Sequence, residues 1–298
     1  MLERTITVDG PVDLRLVLGP VRRGRLDPTM RIGTDGAWRA TRTPEGPATT
    51  HVCMSDGAIR VTAWGPGARW ALDAAPALVG ADDTNRGFAP RDPVVGDLQR
   101  RFPGLRIGRT GAVVEALVPS VLEQKVVGLE ARRSYARLVR ALGEPAPGPA
   151  GLRLPPAPGV LAATPAWAFH RFGVERKRAD TVRVACSYAA RLEQTVTMPL
   201  ADAYRRLSAI PGVGAWTAAE VAFVALGDAD AVSVGDYHLP NQVAFALAGE
   251  ARADDARMLA LLEPYRGQRG RVIRMVVLGG PAPPRYGPRM PLRSISSI

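Results

Sequence analysis

Cysteine is nearly absent from this chain: Cys53 and Cys186 are the two in 298 residues. That is too few for a four-cysteine iron–sulfur or zinc site and too few for a disulfide framework. A reduced cytoplasmic protein is therefore expected, nucleoid-associated if the source is a prokaryote. His51, His170 and His238 are too dispersed to suggest a zinc site, and there is neither a P-loop nor the His-x-Glu and Cys-x-x-Cys pair of the zinc deaminases. No uninterrupted apolar run reaches the ~18 residues that cross a bilayer. The opening Met1-Leu2-Glu3-Arg4 lacks a basic region followed by an apolar core, so neither membrane spanning nor secretion is expected. Lysine is almost missing too: Lys125 and Lys177 are two of the 39 basic residues, and the other 37 are arginine.

What is present is positive charge. Thirty-nine Lys and Arg against 28 Asp and Glu leave a net charge of +11, which makes a polyanion the first partner to consider, nucleic acid before membrane surface. Arginine's flat fork suits phosphate oxygens. The bias towards arginine, alongside abundant Ala, Gly and Pro, is equally explained by the nucleotide composition of the gene; the net charge is not. At 46% hydrophobic the chain can bury a sizeable core, and its length suggests two domains.

Residues 1–80 carry short β-type runs, Thr5 to Val8, Val12 to Leu18 and Ala58 to Ala63, separated by Gly, Pro and Asp turns. From about residue 81, with the boundary between Gly80 and Pro93, long helical patterns take over, as in Val113 to Val126 and Leu129 to Leu142. The expectation is an α+β protein: a small N-terminal sheet-bearing domain, 1–80, followed by a larger all-helical domain, 81–298. Six prolines between Glu144 and Pro158 exclude a helix and read as a surface loop. Helices are expected to start at Thr164-Pro165 and Met198-Pro199 and to run from Val174 to Glu193. The Pro- and Arg-rich tail after Gly280, with Arg285, Arg289 and Arg293, reads as irregular.

The informative stretch is Leu207-Ser-Ala-Ile-Pro211-Gly212-Val213-Gly214-Ala-Trp216-Thr217-Ala-Ala-Glu220, between the helical patterns Leu200 to Ser208 and Trp216 to Leu226. Gly212 and Gly214 allow a tight turn that brings main-chain N–H groups to the start of the second helix, where an anion such as phosphate can sit. A lone Gly-x-Gly is more often an ordinary helix corner. Here Val234-Gly235-Asp236-Tyr237-His238-Leu239 follows, with Asp236 22 residues past Gly214 in a loop leading into a helical pattern. An Asp in that place caps a helix, which is worth about 1 kcal/mol; a cap would also fix the direction of the carboxylate.

Leu-x-x-Ile-Pro-Gly-Val-Gly-x-Trp-Thr-Ala with Asp236 at this spacing resembles the helix-hairpin-helix DNA glycosylases, most closely the 3-methyladenine DNA glycosylase II group. Three further segments are similar to that family's: Val121-Leu122-Glu123-Gln124-Lys125-Val126, Gly173-Val174-Glu-Arg176-Lys177-Arg178-Ala179, and Pro264-Tyr265-Arg266. The resemblance covers roughly residues 90–280. It implies two helical lobes with an active-site cleft between them, a hairpin of Pro211, Gly212, Val213, Gly214, Ala215 and Thr217 that binds DNA, and Asp236 as the catalytic carboxylate. It also implies a flipped base held by Trp216, Tyr237 and Tyr265, with further DNA contacts from Gln124, Lys125 and Arg266. Each aromatic has a plain alternative as core, and His238 one as a surface residue. No cofactor is implied beyond a Na or K ion on the backbone carbonyls of Ser208, Ile210 and Val213.

An alkylated purine such as 3-methyladenine is cationic and already a good leaving group, so it need not be protonated. One carboxylate beside C1′ can stabilise oxocarbenium-like charge and admit water. Electron-rich ring faces favour a cationic base by about 0.5 to 2 kcal/mol per contact. Bifunctional relatives carry a Schiff-base lysine in the slot held here by Trp216, which points to hydrolysis without strand cleavage. Lys125 stands where relatives often place an apolar wedge, and Gly235 where they often have Asp or Pro. The expected activity is monofunctional release of alkylated purines from damaged double-stranded DNA, in base excision repair, by a monomer. The alternatives are a glycosylase for deaminated or oxidised bases on the same scaffold, and a non-enzymatic helix-hairpin-helix DNA-binding protein, which would need no aspartate at that spacing.

Overall fold

The computed structural model describes residues 1–83 and 88–284; the tail residues Arg285, Arg289 and Arg293 lie outside them. Five antiparallel strands, β1 (Leu2–Ile6), β2 (Met30–Ile32), β3 (Ala37–Thr43), β4 (Gly46–Ser55) and β5 (Ala58–Trp64), form one sheet in the order β1-β5-β4-β3-β2. The β4–β5 turn is Asp56-Gly57, with φ of 53° and 77°. This left-handed pair matches strand twist in a two-residue hairpin, and glycine reaches it without the Cβ penalty. Helices α1 (Leu14–Leu18) and α2 (Ala68–Leu78) share an apolar core with the sheet through Leu14, Leu18, Val52, Val61, Leu72 and Ala75. The run Val12 to Leu18, expected as a strand, is thus helical from Leu14. Asp13 Oδ1 accepts from the N–H groups of Arg15 and Leu16 and so nucleates a turn that the β-branched valines alone disfavour.

The helical part comprises α3 (Pro93–Arg101), α4 (Val113–Leu122), α5 (Gly128–Leu142), α6 (Pro158–Ala163), α7 (Arg176–Ser187), α8 (Ala189–Glu193), α9 (Leu200–Ser208), α10 (Ala215–Val221), α11 (Leu239–Ala248), α12 (Asp255–Leu262) and α13 (Arg269–Gly279). They divide between two cores. One surrounds α4, apolar on nearly every face, and takes residues from α5, α7, α8, α9 and α10. The other joins α3 to α11, α12 and α13. The chain passes from the first core to the second in the loop between α10 and α11, where Asp236 sits.

Several boundaries differ from the sequence reading. The helix expected over Val113 to Val126 stops at Leu122, because Arg178 Nη1 donates to the Leu122 carbonyl at 2.7 Å and Lys125 turns left-handed at φ 55°. Val174 to Glu193 breaks into α7 and α8 at Tyr188, and Thr164-Pro165 opens a 3-10 turn, Ala166–Phe172. The proline-rich connector is not a surface loop throughout. Leu152 and Leu154 pack on Ala40 of β3, and Arg42 Nε donates to the Pro155 carbonyl at 2.8 Å.

Helix α4 is also the joint between sheet and helices. Glu115 in its first turn accepts from Arg39 Nη2 at 2.8 Å, from Thr41 Oγ1 at 2.9 Å and from the Arg42 N–H at 2.7 Å. Its two leading N–H groups, on Val113 and Val114, donate to the Glu193 carboxylate of α8, each at 2.9 Å. Burial pushes the Glu193 carboxyl up from its ordinary range against these two donors, with the Glu115 charge adding to the rise. Glu193→Ala orphans both N–H groups at a cost of about 1 to 3 kcal/mol each. A urea midpoint lowered at constant slope is the expected result; an unmoved midpoint would show that water replaces the carboxylate.

Candidate active site

The hairpin between α9 and α10 is built as its glycines require. Ile210 and Val213 anchor it in the first helical core, and the Val213 N–H closes the turn onto the Ile210 carbonyl at 2.9 Å. Gly212 lies at φ 88°, and a Cβ there would stand 2.2 Å from Thr181 Oγ1 of α7. At Gly214 a Cβ would meet nothing within 4 Å, so that side of the turn faces open space. Pro211, Gly212, Gly214 and Ala215 are exposed, and no side chain caps α10, which leaves its first-turn N–H groups outward.

Gln124 and Thr217 serve the hairpin from within. Gln124 Nε2 donates to the Gly212 carbonyl at 2.9 Å and to Thr217 Oγ1 at 2.8 Å, and Thr217 is buried. The resemblance implies that both meet DNA; in the structure their bonds clasp the turn after α4 to the hairpin. Lys125 follows, exposed and left-handed, between Gln124 on one side and the Arg178 cap of α4 on the other. A lysine costs about 1 kcal/mol in that conformation, so the neighbours impose it.

Asp236 carries three N–H donors. Oδ1 accepts from the backbone of His238 at 2.8 Å and of Leu239 at 2.9 Å, at the start of α11, and Oδ2 accepts from Trp216 Nε1 at 3.0 Å. The N-cap of α11 is His238 and no side chain caps it; Asp236 closes the turn that leads into the helix, and the same bonds fix the direction of its carboxylate. Gly235, at φ 90°, makes the turn into it, and its N–H is held by the Asp255 carboxylate of α12 at 3.0 Å. The half-buried Trp216 touches the carboxylate directly. Tyr237 is 83% exposed beside the His238 ring. Tyr265 is buried in the second helical core, its hydroxyl accepting from the Arg91 N–H at 2.9 Å and its ring beside Phe88, so this aromatic is a core residue. Arg266 is engaged by the Glu263 carboxylate through Nε at 2.8 Å and Nη2 at 2.9 Å.

The motifs assign no role to Glu220, Ser233 or Arg23, which the structure brings into this region. Glu220 accepts a hydrogen bond from Ser233 Oγ in the Asp236 loop. Arg23, from the sheet domain, lies 3.6 Å from Glu123, next to Gln124. Among the described residues, no group of three or more His, Cys, Asp or Glu could hold a metal ion, and no helix is long and apolar enough to cross a membrane.

No protein-family model matches the chain. Over 152 residues it is 31% identical to the probable bifunctional transcriptional activator/DNA repair enzyme AlkA of Mycobacterium tuberculosis, a match that spans 50% of this chain and 30% of that relative. Among solved structures it is similar to the 3-methyladenine DNA-glycosylase from Archaeoglobus fulgidus, with a TM-score of 0.75 at 17% identity over 92% of this chain and 97% of that one. It is also similar to the 8-oxoguanine glycosylase/lyase of Clostridium acetobutylicum, with a TM-score of 0.70 at 12% identity over 92% and 95%. A third likeness is to the 3-methyladenine DNA glycosylase of Schizosaccharomyces pombe, in complex with abasic DNA, with a TM-score of 0.51 at 15% identity over 62% and 91%. The chain therefore has the helix-hairpin-helix DNA glycosylase fold, 3-methyladenine DNA glycosylases among its structural neighbours and an AlkA among its sequence relatives.

Proposed function

We propose that this chain is a monofunctional DNA N-glycosylase that flips alkylated purines such as 3-methyladenine out of duplex DNA and releases them by hydrolysis. The observation that carries the reading is the hydrogen bond from Trp216 Nε1 to Asp236 Oδ2 at 3.0 Å. An electron-rich ring and a fixed carboxylate held together in this way support the reading. A methylated base is attracted by the ring face, and the oxocarbenium-like charge at C1′ by the carboxylate, which also takes the proton of the attacking water. With an indole in the lysine slot there is no amine to form an imine. The hairpin supplies phosphate contacts through its open N–H groups, and Lys125 adds a cation beside them, with the net charge of +11 behind both. The Ile210 carbonyl, although it already accepts from Val213, has a second lone pair, which suits the monovalent cation that the hairpin motif implies.

The test is release of free methylated purine from methylated duplex DNA, with strand breaks scored before and after alkali. Release with breaks only after alkali is expected. Breaks without alkali would mean lyase chemistry, and salt-sensitive duplex binding without release would favour the DNA-binding alternative.

A further inference from the structure

A second carboxyl group shares the seam that holds Asp236. Trp216 and Glu220 are four residues apart on α10, hence one turn, about 5.4 Å, along one face. Ser233 and Asp236 face them from the loop before α11. The two pairs are cross-bonded, Trp216 to Asp236 and Ser233 to Glu220. Glu220 keeps some exposed surface, and its carboxyl is largely buried. The other charged groups facing it are Arg23 from the segment after α1, Glu123 from the turn after α4, Arg274 from α13, and Asp236 itself. Neither arginine forms an ion pair with it among the described residues: Arg23 pairs with Glu123, and Arg274 acts on it through charge at a distance.

We propose that Glu220 is a general acid that protonates the departing base, so that the site releases neutral damaged purines as well as cationic ones. The inference rests on the glycosylase reading above. A cationic methylated base leaves unaided, whereas a neutral purine leaves as a poor anion unless a ring nitrogen gains a proton. In the step, the C1′–N9 electron pair goes to the base as the Glu220 proton moves to its ring nitrogen. Water then adds to C1′ and gives its proton to Asp236. Solvent reprotonates Glu220 and deprotonates Asp236, so the cycle closes without a co-reactant. Two carboxyl groups flanking a glycosidic bond, one donating and one facing the cation, are a recurrent solution to this chemistry.

The surroundings suit a proton donor. Burial pushes the Glu220 carboxyl above the ordinary glutamate range, the Ser233 hydrogen bond and Arg23 pull it back, and the charges of Glu123 and Asp236 raise it further. The active form is protonated, so release of a neutral base is full below the Glu220 pKa and falls as pH rises through it.

The experiment compares single-turnover release of hypoxanthine and of 7-methylguanine from duplex DNA by wild type, Glu220→Gln and Ser233→Ala. Glutamine keeps an acceptor for Ser233 but has no proton to give. Its hypoxanthine rate is expected to fall about a hundredfold more than its 7-methylguanine rate. Equal losses on both substrates would overturn the proposal and make Glu220 a positioning residue. Ser233→Ala removes a donor to the carboxylate, so the falling limb for hypoxanthine is expected to move to higher pH; a limb that stays in place also overturns it. Wild type that releases 7-methylguanine but not hypoxanthine defeats this inference alone, and wild type that releases neither defeats the glycosylase reading.

Discussion

Asp236→Asn is expected to lower release of methylated purine by at least about a hundredfold, close to 3 kcal/mol of barrier, while duplex affinity is retained. In the proposed mechanism the substitution removes the negative charge that stabilises C1′, and it leaves the hairpin untouched. The amide oxygen can still accept from His238 and Leu239, which keeps the turn into α11 closed, but its NH2 group then opposes Trp216 Nε1, a donor against a donor. Flipping the amide repairs that contact only by losing both backbone bonds. A cost of about 1 kcal/mol in stability accompanies the change, small enough for the variant to remain folded. Equal release rates for variant and wild type would remove Asp236 from the chemistry and leave it the role of closing the turn before α11.

Those hydrogen bonds also explain what the sequence made legible. Gly212, Gly214 and Asp236 belong to contiguous motifs whose conformations are locally forced, so their residue types alone announce the turn and the open N–H groups; the cap expected of Asp236 is instead a closed turn one step ahead of the helix, whose N-cap is His238. Glu193 and Arg178 act across the chain instead: Glu193 reaches Val113 from 80 residues away and Arg178 reaches Leu122 from 56. No spacing rule encodes such pairs, because the meeting point exists only once α4, α7 and α8 have packed. Tyr265 shows the converse. Its Pro-Tyr-Arg motif points to the site, yet the second helical core encloses its ring, and burial outweighs the local pattern. In the sheet domain, Asp56-Gly57 is a strong local hairpin signal that fixes β4 against β5, whereas the Val12 to Leu18 run misleads, because one Asp13 carboxylate decides for helix where the apolar spacing alone suits a strand.

The two hairpin glycines, alike in the motif, are expected to fail in opposite ways. Gly212→Ala places a methyl 2.2 Å from Thr181 Oγ1 in a backbone conformation, φ 88°, that L side chains resist. The turn must move away from α7, and with it goes the carbonyl that Gln124 holds. Left-handed strain of about 1 to 2 kcal/mol plus overpacking of about 1 to 3 predicts a large loss of stability, read as a lower urea midpoint. Adding Thr181→Ala removes Oγ1 and is expected to recover part of it. Gly214→Val meets nothing within 4 Å and keeps its φ of −96°, so stability is expected to stay near wild type. Its branched side chain instead occupies the space in front of the α10 N–H groups, where a phosphate would come. Duplex affinity is expected to fall for damaged and undamaged DNA alike, with a shallower dependence on salt. Unchanged affinity and slope for Gly214→Val would mean that the hairpin is a structural corner and that duplex DNA is held elsewhere on the arginine-rich surface.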